Sequence, residues 1–125
     1  MSAGAFSQTD SIKCKAILDT LTKTEVYTFV DKMPEVIGGM EVLFNEFQNI
    51  KYPNDGADYG GKVFIAFIVD IDGKITGKRI VRDPTGDKLG KQILTLIDNV
   101  VWQPGSCNGK NVPVMFLLPL NIDIQ

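Results

Sequence analysis

The sequence contains no histidine, and only two cysteines and one tryptophan occur among its 125 residues. Without histidine the chain lacks the commonest general base and zinc ligand. Two cysteines are too few for a metal cluster and are not spaced as a CxxC redox pair. Ser106 lies beside Lys110 in a predicted loop, where both side chains are expected to be solvated. We therefore expect no catalytic residue, no cofactor and no metal, and we predict that the protein is not an enzyme.

Neither a strong excess of one charge nor a long apolar run is present. The formal net charge is −2, and the lysines are scattered along the chain. This distribution provides no positive patch to attract a polyanion, so nucleic acid is not an expected partner. The longest apolar run, residues 63–69, has the length of a strand and not the roughly 20 residues that span a bilayer.

The size and the 44% hydrophobic content are typical of one compact domain. We divide the chain into an N-terminal extension, residues 1–31, and a continuous domain, residues 32–125. The opening stretch SAGAFSQTDS is small and polar, as is the tail of an export signal near its cleavage point. A frayed terminus explains it equally well. On the first interpretation the protein works outside the cytoplasm.

Cys14 and Cys107 leave two alternatives open. An even number of cysteines in an exported chain permits one disulfide, here between the N-terminal extension and the loop at residues 102–109. The other alternative is a pair of buried free thiols.

Two helices and three strands follow from the apolar periodicity. After Gly38-Gly39, an apolar stripe at Met40, Leu43, Phe47 and Ile50 predicts a helix that ends before Pro53. A second amphipathic helix is predicted within residues 85–102. Residues 62–71 are apolar on both faces, which indicates a strand that is central, or is covered by the extension or by another subunit.

The remaining strands complete the fold class. Asp72-Gly73 predicts a tight hairpin turn to a more polar strand, and it explains Asp70 and Asp72 better than a calcium loop, whose later ligands are missing. Residues 112–124 alternate as a final strand, and its prolines predict an open side around residues 119–124. We predict an α+β fold with a small antiparallel sheet of about three strands packed against two helices. The extension can add one further strand, in EVYTFVD, and one helix, in IKCKAILDTLT.

The order of several motifs along the chain resembles the TonB C-terminal domain family. The motifs are Tyr52-Pro53, Gly61-Lys62-Val63, Asp72-Gly73-Lys74-Ile75, Trp102-Gln103-Pro104-Gly105, Asn108-Gly109-Lys110, Val112-Pro113-Val114 and Leu118-Pro119-Leu120. The resemblance covers about residues 34–124. Residues 25–47 are also similar to a longer variant of the family, in which a strand and a helix with a Gly-Gly pair precede the Tyr-Pro motif.

The resemblance implies a periplasmic, non-enzymatic binding module that couples inner-membrane energy to outer-membrane nutrient receptors. The receptor's N-terminal box is expected to add as a strand to an open sheet edge. The candidate partner-binding residues at that edge are Leu118, Leu120, Asn121, Ile122, Asp123 and Ile124. A second candidate contact region, carried over from the family, comprises Gln48, Asn49, Tyr52 and Pro53. Alternatively, Tyr52 and Pro53 only shape the turn from helix to sheet.

The chain departs from the full-length transducers of that family because it shows no membrane anchor and no Pro-rich spanning segment. The first interpretation is a fragment whose anchor would link it to inner-membrane energising proteins. The second is a free-standing exported relative that binds without transmitting force. A structural or adapter protein of the cell envelope, which forms a homodimer or binds a folded partner through its sheet, is the alternative function.

Overall fold

A computed structural model describes residues 13–54, 56 and 58–124; the segment interpreted as an export-signal remnant, residues 2–11, lies outside them. The strands are β1 (Lys15–Asp19), β2 (Thr24–Phe29), β3 (Glu35–Val36), β4 (Tyr59–Val69), β5 (Ile75–Arg82), β6 (Trp102–Gln103), β7 (Ser106–Cys107), β8 (Lys110–Asn111) and β9 (Val114–Ile124). The helices are α1 (Met40–Glu46) and α2 (Gly90–Leu96), followed by the 3₁₀ turns Phe47–Asn49 and Ile97–Asn99.

The main sheet has the strand order β1-β2-β9-β4-β5. Its centre is the antiparallel pair β4 and β9, which runs without a register shift from Tyr59 opposite Ile124 to Val69 opposite Val114. β5 returns antiparallel along β4 after a turn in which the Gly73 N–H donates to the Asp70 carbonyl. The predicted α+β class and this three-stranded antiparallel core are confirmed, while the extension enlarges the sheet to five strands.

The N-terminal extension forms a hairpin of β1 and β2. The expected strand in EVYTFVD is confirmed, whereas the helix expected in IKCKAILDTLT is wrong, because Lys15–Asp19 is a strand. The reversal is local: the Asp19 carboxylate accepts hydrogen bonds from the N–H and hydroxyl of Thr22, and its carbonyl accepts from Lys23 N–H. Pairing with β2 outweighs the weak helical periodicity of this short segment.

Both helices pack on one face of the sheet. The buried cluster there contains Leu43 of α1, Ile93 of α2 and alternate residues of β4, with Phe67 at its centre. The Phe67 ring stacks on Phe116 with centroids 5.4 Å apart. All four residues of the predicted stripe, Met40, Leu43, Phe47 and Ile50, belong to this cluster or pack against it. None of the helices in the described ranges is long and apolar enough to cross a membrane.

The hairpin covers the opposite face of β4 and β5. Arg79 of β5 donates two hydrogen bonds, of 2.7 and 2.9 Å, to the Asp19 carboxylate at the end of β1. These bonds, together with those from Thr22, hold the pKa of Asp19 well below its usual range. Beneath the hairpin, Val26 and Ile68 are buried. The apolar second face of β4 is thus covered by the protein's own extension, one of the predicted alternatives.

A disulfide fastens the base of this hairpin to the C-terminal half of the chain. It joins Cys14, directly before β1, to Cys107 of β7, with the two Cα atoms 6.3 Å apart. Both cysteines pack against a small apolar cluster of Val30, Val112 and Val114. Together with the backbone bonds between Lys32 and Ser106, the disulfide anchors the extension beside the start of β9.

Candidate functional site

Within the part of the chain that the structure describes, one side of β9 has no strand partner over residues 117–124, a segment that we call the free edge. Among the residues that the structure describes, β4 pairs with one side of β9, and β2 reaches the other side only at Val114. β2 ends at Phe29, and the chain then continues to β3, which pairs with β6 in a separate small sheet. The free edge therefore begins just beyond the end of β2.

The direction of each backbone group at the free edge follows from one hydrogen bond. Tyr27 N–H donates to the Pro113 carbonyl over 2.8 Å, so the carbonyl of residue 113 points away from β4. Backbone groups alternate sides along a strand, and the pairing with β4 has no register shift. The residues that direct both N–H and C=O toward the free edge are Leu117, Asn121 and Asp123. Such a row of unpaired groups is a template for another extended chain.

Pro119 fits this alternation. Its residue number is odd, like that of residue 113. The proline nitrogen, which carries no hydrogen, therefore faces the free edge and not β4. A proline there removes no hydrogen bond from the ladder with β4. The predicted open side around residues 119–124 thus corresponds to a strand end that has one described partner.

The predicted edge residues form two groups, because even-numbered and odd-numbered residues of β9 direct their backbone groups to opposite sides. Leu118, Leu120 and Ile122 direct their backbone groups to β4 and their side chains to the helices, where Leu118 is buried. Asn121 has an exposed side chain and outward backbone groups. For Asp123 and Ile124 the structure defines the strand backbone, opposite Gly60 and Tyr59.

Two residues outside the predicted set share the outward geometry. Leu117 presents its backbone N–H and C=O to the free edge, and Pro119 presents its C=O. The side chain of Leu117 is also 52% exposed. The list of candidate residues omitted both, although the predicted open side begins at Pro119. A signal for Leu117 was also present: if a proline lies on the free edge, the residues two positions before and after it share its outward backbone direction.

A large cavity lies where the free edge begins. It has a volume of about 440 Å³ and is lined by Phe116 of β9, by Met40 at the start of α1 and by residues 33–36 and 39. Of the lining residues that the structure describes, Glu35 alone is charged. The cavity is mainly apolar and open, and one wall comes from the segment that follows the N-terminal extension.

A small cavity brings the two predicted contact regions together. It has a volume of about 60 Å³, and its lining includes Tyr52 beside Leu120, Asn121 and Ile122. Tyr52 itself is 57% exposed, as expected for a contact residue and also compatible with a turn residue. Of the other predicted residues, Gln48 and Asn49 are exposed in the 3₁₀ turn, and Pro53 is half-buried. Neither Gln48, Asn49 nor Pro53 lines this cavity.

The carboxylates with displaced pKa values lie away from the free edge. Burial raises the pKa of Asp83, but hydrogen bonds from the Thr85 hydroxyl and from the Gly90 N–H outweigh it, so the net shift is downward. Asp83 thereby holds the chain where it enters α2, as Asp19 holds the hairpin. Both groups support the fold. The free edge offers backbone donors and acceptors, which are the groups that a neighbouring strand pairs with in a sheet.

Comparison with protein families identifies the domain that contains this strand. The sequence model of the Gram-negative bacterial TonB protein C-terminal region matches residues 48–123, more than half of the chain. The chain belongs to the TonB C-terminal domain family. This family is a periplasmic type of protein-interaction domain, and its members generally interact with outer-membrane receptors. No curated protein sequence and no solved structure matches the chain.

The TonB C-terminal match covers only part of the site. It includes β4, β5, α2 and all of β9 except Ile124, and hence nearly all of the free edge and most of the small cavity. It leaves out the β1–β2 hairpin, α1 and the wall of the large cavity at residues 33–40. The free edge is therefore part of the family domain, whereas most of the large cavity lies outside the matched range.

Proposed function

We propose that the chain is a periplasmic TonB-like binding module that recognises the N-terminal box of an outer-membrane TonB-dependent receptor by strand addition to β9. In this function it takes part in energy-coupled nutrient transport and performs no chemical reaction. The observation that carries the proposal is the free edge. Three residues direct N–H and C=O groups there, and β4 holds the strand in register on the other side.

An added strand can form hydrogen bonds with the outward N–H and C=O groups of β9, because its own backbone groups have the same spacing. An extended chain places its own donors and acceptors at the same repeat, and neighbouring strands lie about 4.8 Å apart. Tyr52 lies beside the end of this edge, at the small cavity. An added strand that passes Leu120 and Ile122 would therefore come close to Tyr52, which supports a contact role for the Tyr-Pro segment.

An NMR titration with receptor peptides tests the proposal. The probes are synthetic peptides from the N-terminal segments of TonB-dependent receptors, added to the full chain with its disulfide intact. We expect amide shifts concentrated at residues 117–124, with a second set near residues 48–53. If no peptide shifts these amides at millimolar concentration, strand addition of a receptor box is wrong.

Two variants at one position separate backbone pairing from side-chain recognition. Asn121→Pro removes an outward N–H, and an edge strand tolerates this change. The lost bond and the unsatisfied peptide carbonyl should weaken binding about tenfold or more. Asn121→Ala keeps the N–H and should bind nearly as well as the parent chain. Equal losses in the two variants would contradict backbone pairing.

A second copy of the chain is the competing occupant of the free edge. The alternative function, a structural or adapter protein that dimerises, would use the same unpaired groups. Sedimentation of the parent chain and of Asn121→Pro distinguishes the two. A stable dimer that Asn121→Pro dissociates, together with no response to receptor peptides, would favour the structural alternative.

A further inference from the structure

We propose that the large cavity seats a large apolar side chain of the strand that adds to β9, so that the lining residues 33–36, 39 and 40 help select which segment binds. This inference rests on the proposed strand addition and adds a specificity site to it. The cavity and the free edge are continuous, since Phe116 lines the cavity and residue 117 begins the edge.

The alternation of side chains along β9 places this cavity on the helix side of the sheet, where alternate side chains of an added strand would also lie. Phe116 shares the helix-side face with Leu118, Leu120 and Ile122, and all four pack on the core. A strand added beside β9 continues the same pleat, so alternate side chains would also point to the helix side. The first of these positions lies beside Leu118, from which a large side chain would reach the cavity at Phe116. A second, four residues along and about 13 Å away, lies beside Ile122 and would reach the small cavity.

The two cavities differ in what they can hold. A volume of about 440 Å³ accepts the largest side chains, whereas about 60 Å³ leaves room for only a small group. The lining of the large cavity is apolar at Met33, Pro34, Val36, Met40 and Phe116. The structure thus favours Phe, Tyr, Trp, Leu or Met at the first position and a small residue near the second.

The charged residues near the cavity indicate which residue types the bound segment contains. Glu35 is exposed and is the one charged residue among the described residues of the lining, and Glu41 lies next to Gly39 at the same end of α1. A glutamate in an otherwise uncharged lining, with a second glutamate at the adjacent helix end, favours a segment with a lysine or arginine beside its apolar anchor. The unpaired backbone of the free edge requires that this segment be an extended polypeptide. We therefore commit to a basic-apolar extended segment as the occupant.

The cavity wall is held in place by the surrounding fold. β3 pairs with β6, and the Gly39 N–H donates to the Val36 carbonyl over 2.9 Å. The floor is fixed as well, because the Phe116 ring packs edge-on against Trp102 with centroids 5.3 Å apart. A preformed pocket loses little entropy on binding, which suits a specificity site.

Peptide selection on matched variants tests the inference. The probe is a display library of nine-residue peptides with every position randomised, selected on the full chain, on Met33→Ala and on Ile37→Ala. Both substitutions shorten an exposed apolar side chain in the same segment, but only Met33 lines the cavity. We expect peptides selected on the parent chain and on Ile37→Ala to share a large apolar residue at one position, with a basic residue nearby. That preference should weaken on Met33→Ala.

A double-mutant cycle then measures the contact. For a selected synthetic peptide, replacing the apolar anchor by alanine should weaken binding about tenfold to the parent chain and less than threefold to Met33→Ala. If peptides shift the amides of residues 117–124 but Met33→Ala and Ile37→Ala behave alike, the cavity is not a specificity site and strand addition stands. If no selected peptide shifts those amides, strand addition and this inference are both overturned.

Discussion

Removal of the disulfide should destabilise the protein strongly. Cys14 and Cys107 are separated by 93 residues along the chain. In the chain-entropy model, a cross-link that closes a loop of this length lowers the entropy of the unfolded state by an amount worth about 4.6 kcal/mol at 25 °C. Measured effects commonly fall below this limit, so we expect a loss of about 2–4 kcal/mol in the Cys14→Ser/Cys107→Ser variant.

Urea unfolding, followed by circular dichroism, provides the assay. The free energy of unfolding is extrapolated to water for the parent chain, for the double variant and for the parent chain under a reducing agent. The reduced parent and the double variant should agree, because both lack the cross-link. Alkylation followed by intact mass first establishes that the unreduced parent has no free thiol.

Two results would refute this reasoning. A difference below about 0.5 kcal/mol would mean that the cross-link does not constrain the unfolded chain as the entropy model requires. Alkylation of both thiols in the unreduced protein would show that Cys14 and Cys107 do not form a disulfide. The hairpin would then depend on the burial of Val26 and Val30 and on the Asp19–Arg79 pair.

The salt bridge and one glycine yield two further predictions. The folded-state pKa of Asp19 lies below its unfolded value near 3.8, so the stabilisation from Arg79 is present above that pH and is lost as the pH falls below it. The difference in unfolding free energy between the parent chain and Asp19→Asn should therefore be largest near neutral pH and shrink between about pH 5 and pH 2; a constant difference would contradict this. Gly73→Ala should cost about 2–4 kcal/mol, because the methyl group would collide with the Trp102 backbone oxygen at a positive φ. Gly109→Ala, at a similar φ in open space, should cost about 1–2 kcal/mol, and equal melting temperatures for the two variants would count against the collision.

The sequence predicted the helices and the central strands because their periodicities are strong. The stripe at Met40, Leu43, Phe47 and Ile50 can be buried only if it faces one side of a helix. Likewise, Asp72-Gly73 between two strand-like runs predicts a tight turn, because glycine readily adopts a positive φ. In the structure Gly73 has a φ of +86°. These elements depend on interactions between near neighbours, which a sequence displays directly.

The extension was harder to predict. Residues 15–19 have no strong period, and their conformation depends on β2 and on a carboxylate, Asp19, that finds its partner 60 residues away at Arg79. A local pattern cannot reveal a partner at that distance. For the same reason the sequence left open what covers the second face of β4.

Some properties of the candidate site could likewise be predicted from the sequence, and others could not. By itself the sequence determined that β9 would be a long strand with an open side, because Pro119 cannot donate a backbone hydrogen bond. It also determined, through its motifs, the family resemblance that the match over residues 48–123 bears out. These properties depend on residue types and on their order.

Only the tertiary structure decided which backbone groups of β9 face outward, and that a large cavity adjoins them. The direction of Leu117 and Asn121 depends on the register with β4 and β2, in which a shift of one residue would exchange the two sides. The cavity joins residues 33–40 to Phe116, more than 70 positions later in the chain. Register and long-range contact are set by how the whole core packs, and no short stretch of sequence contains that information.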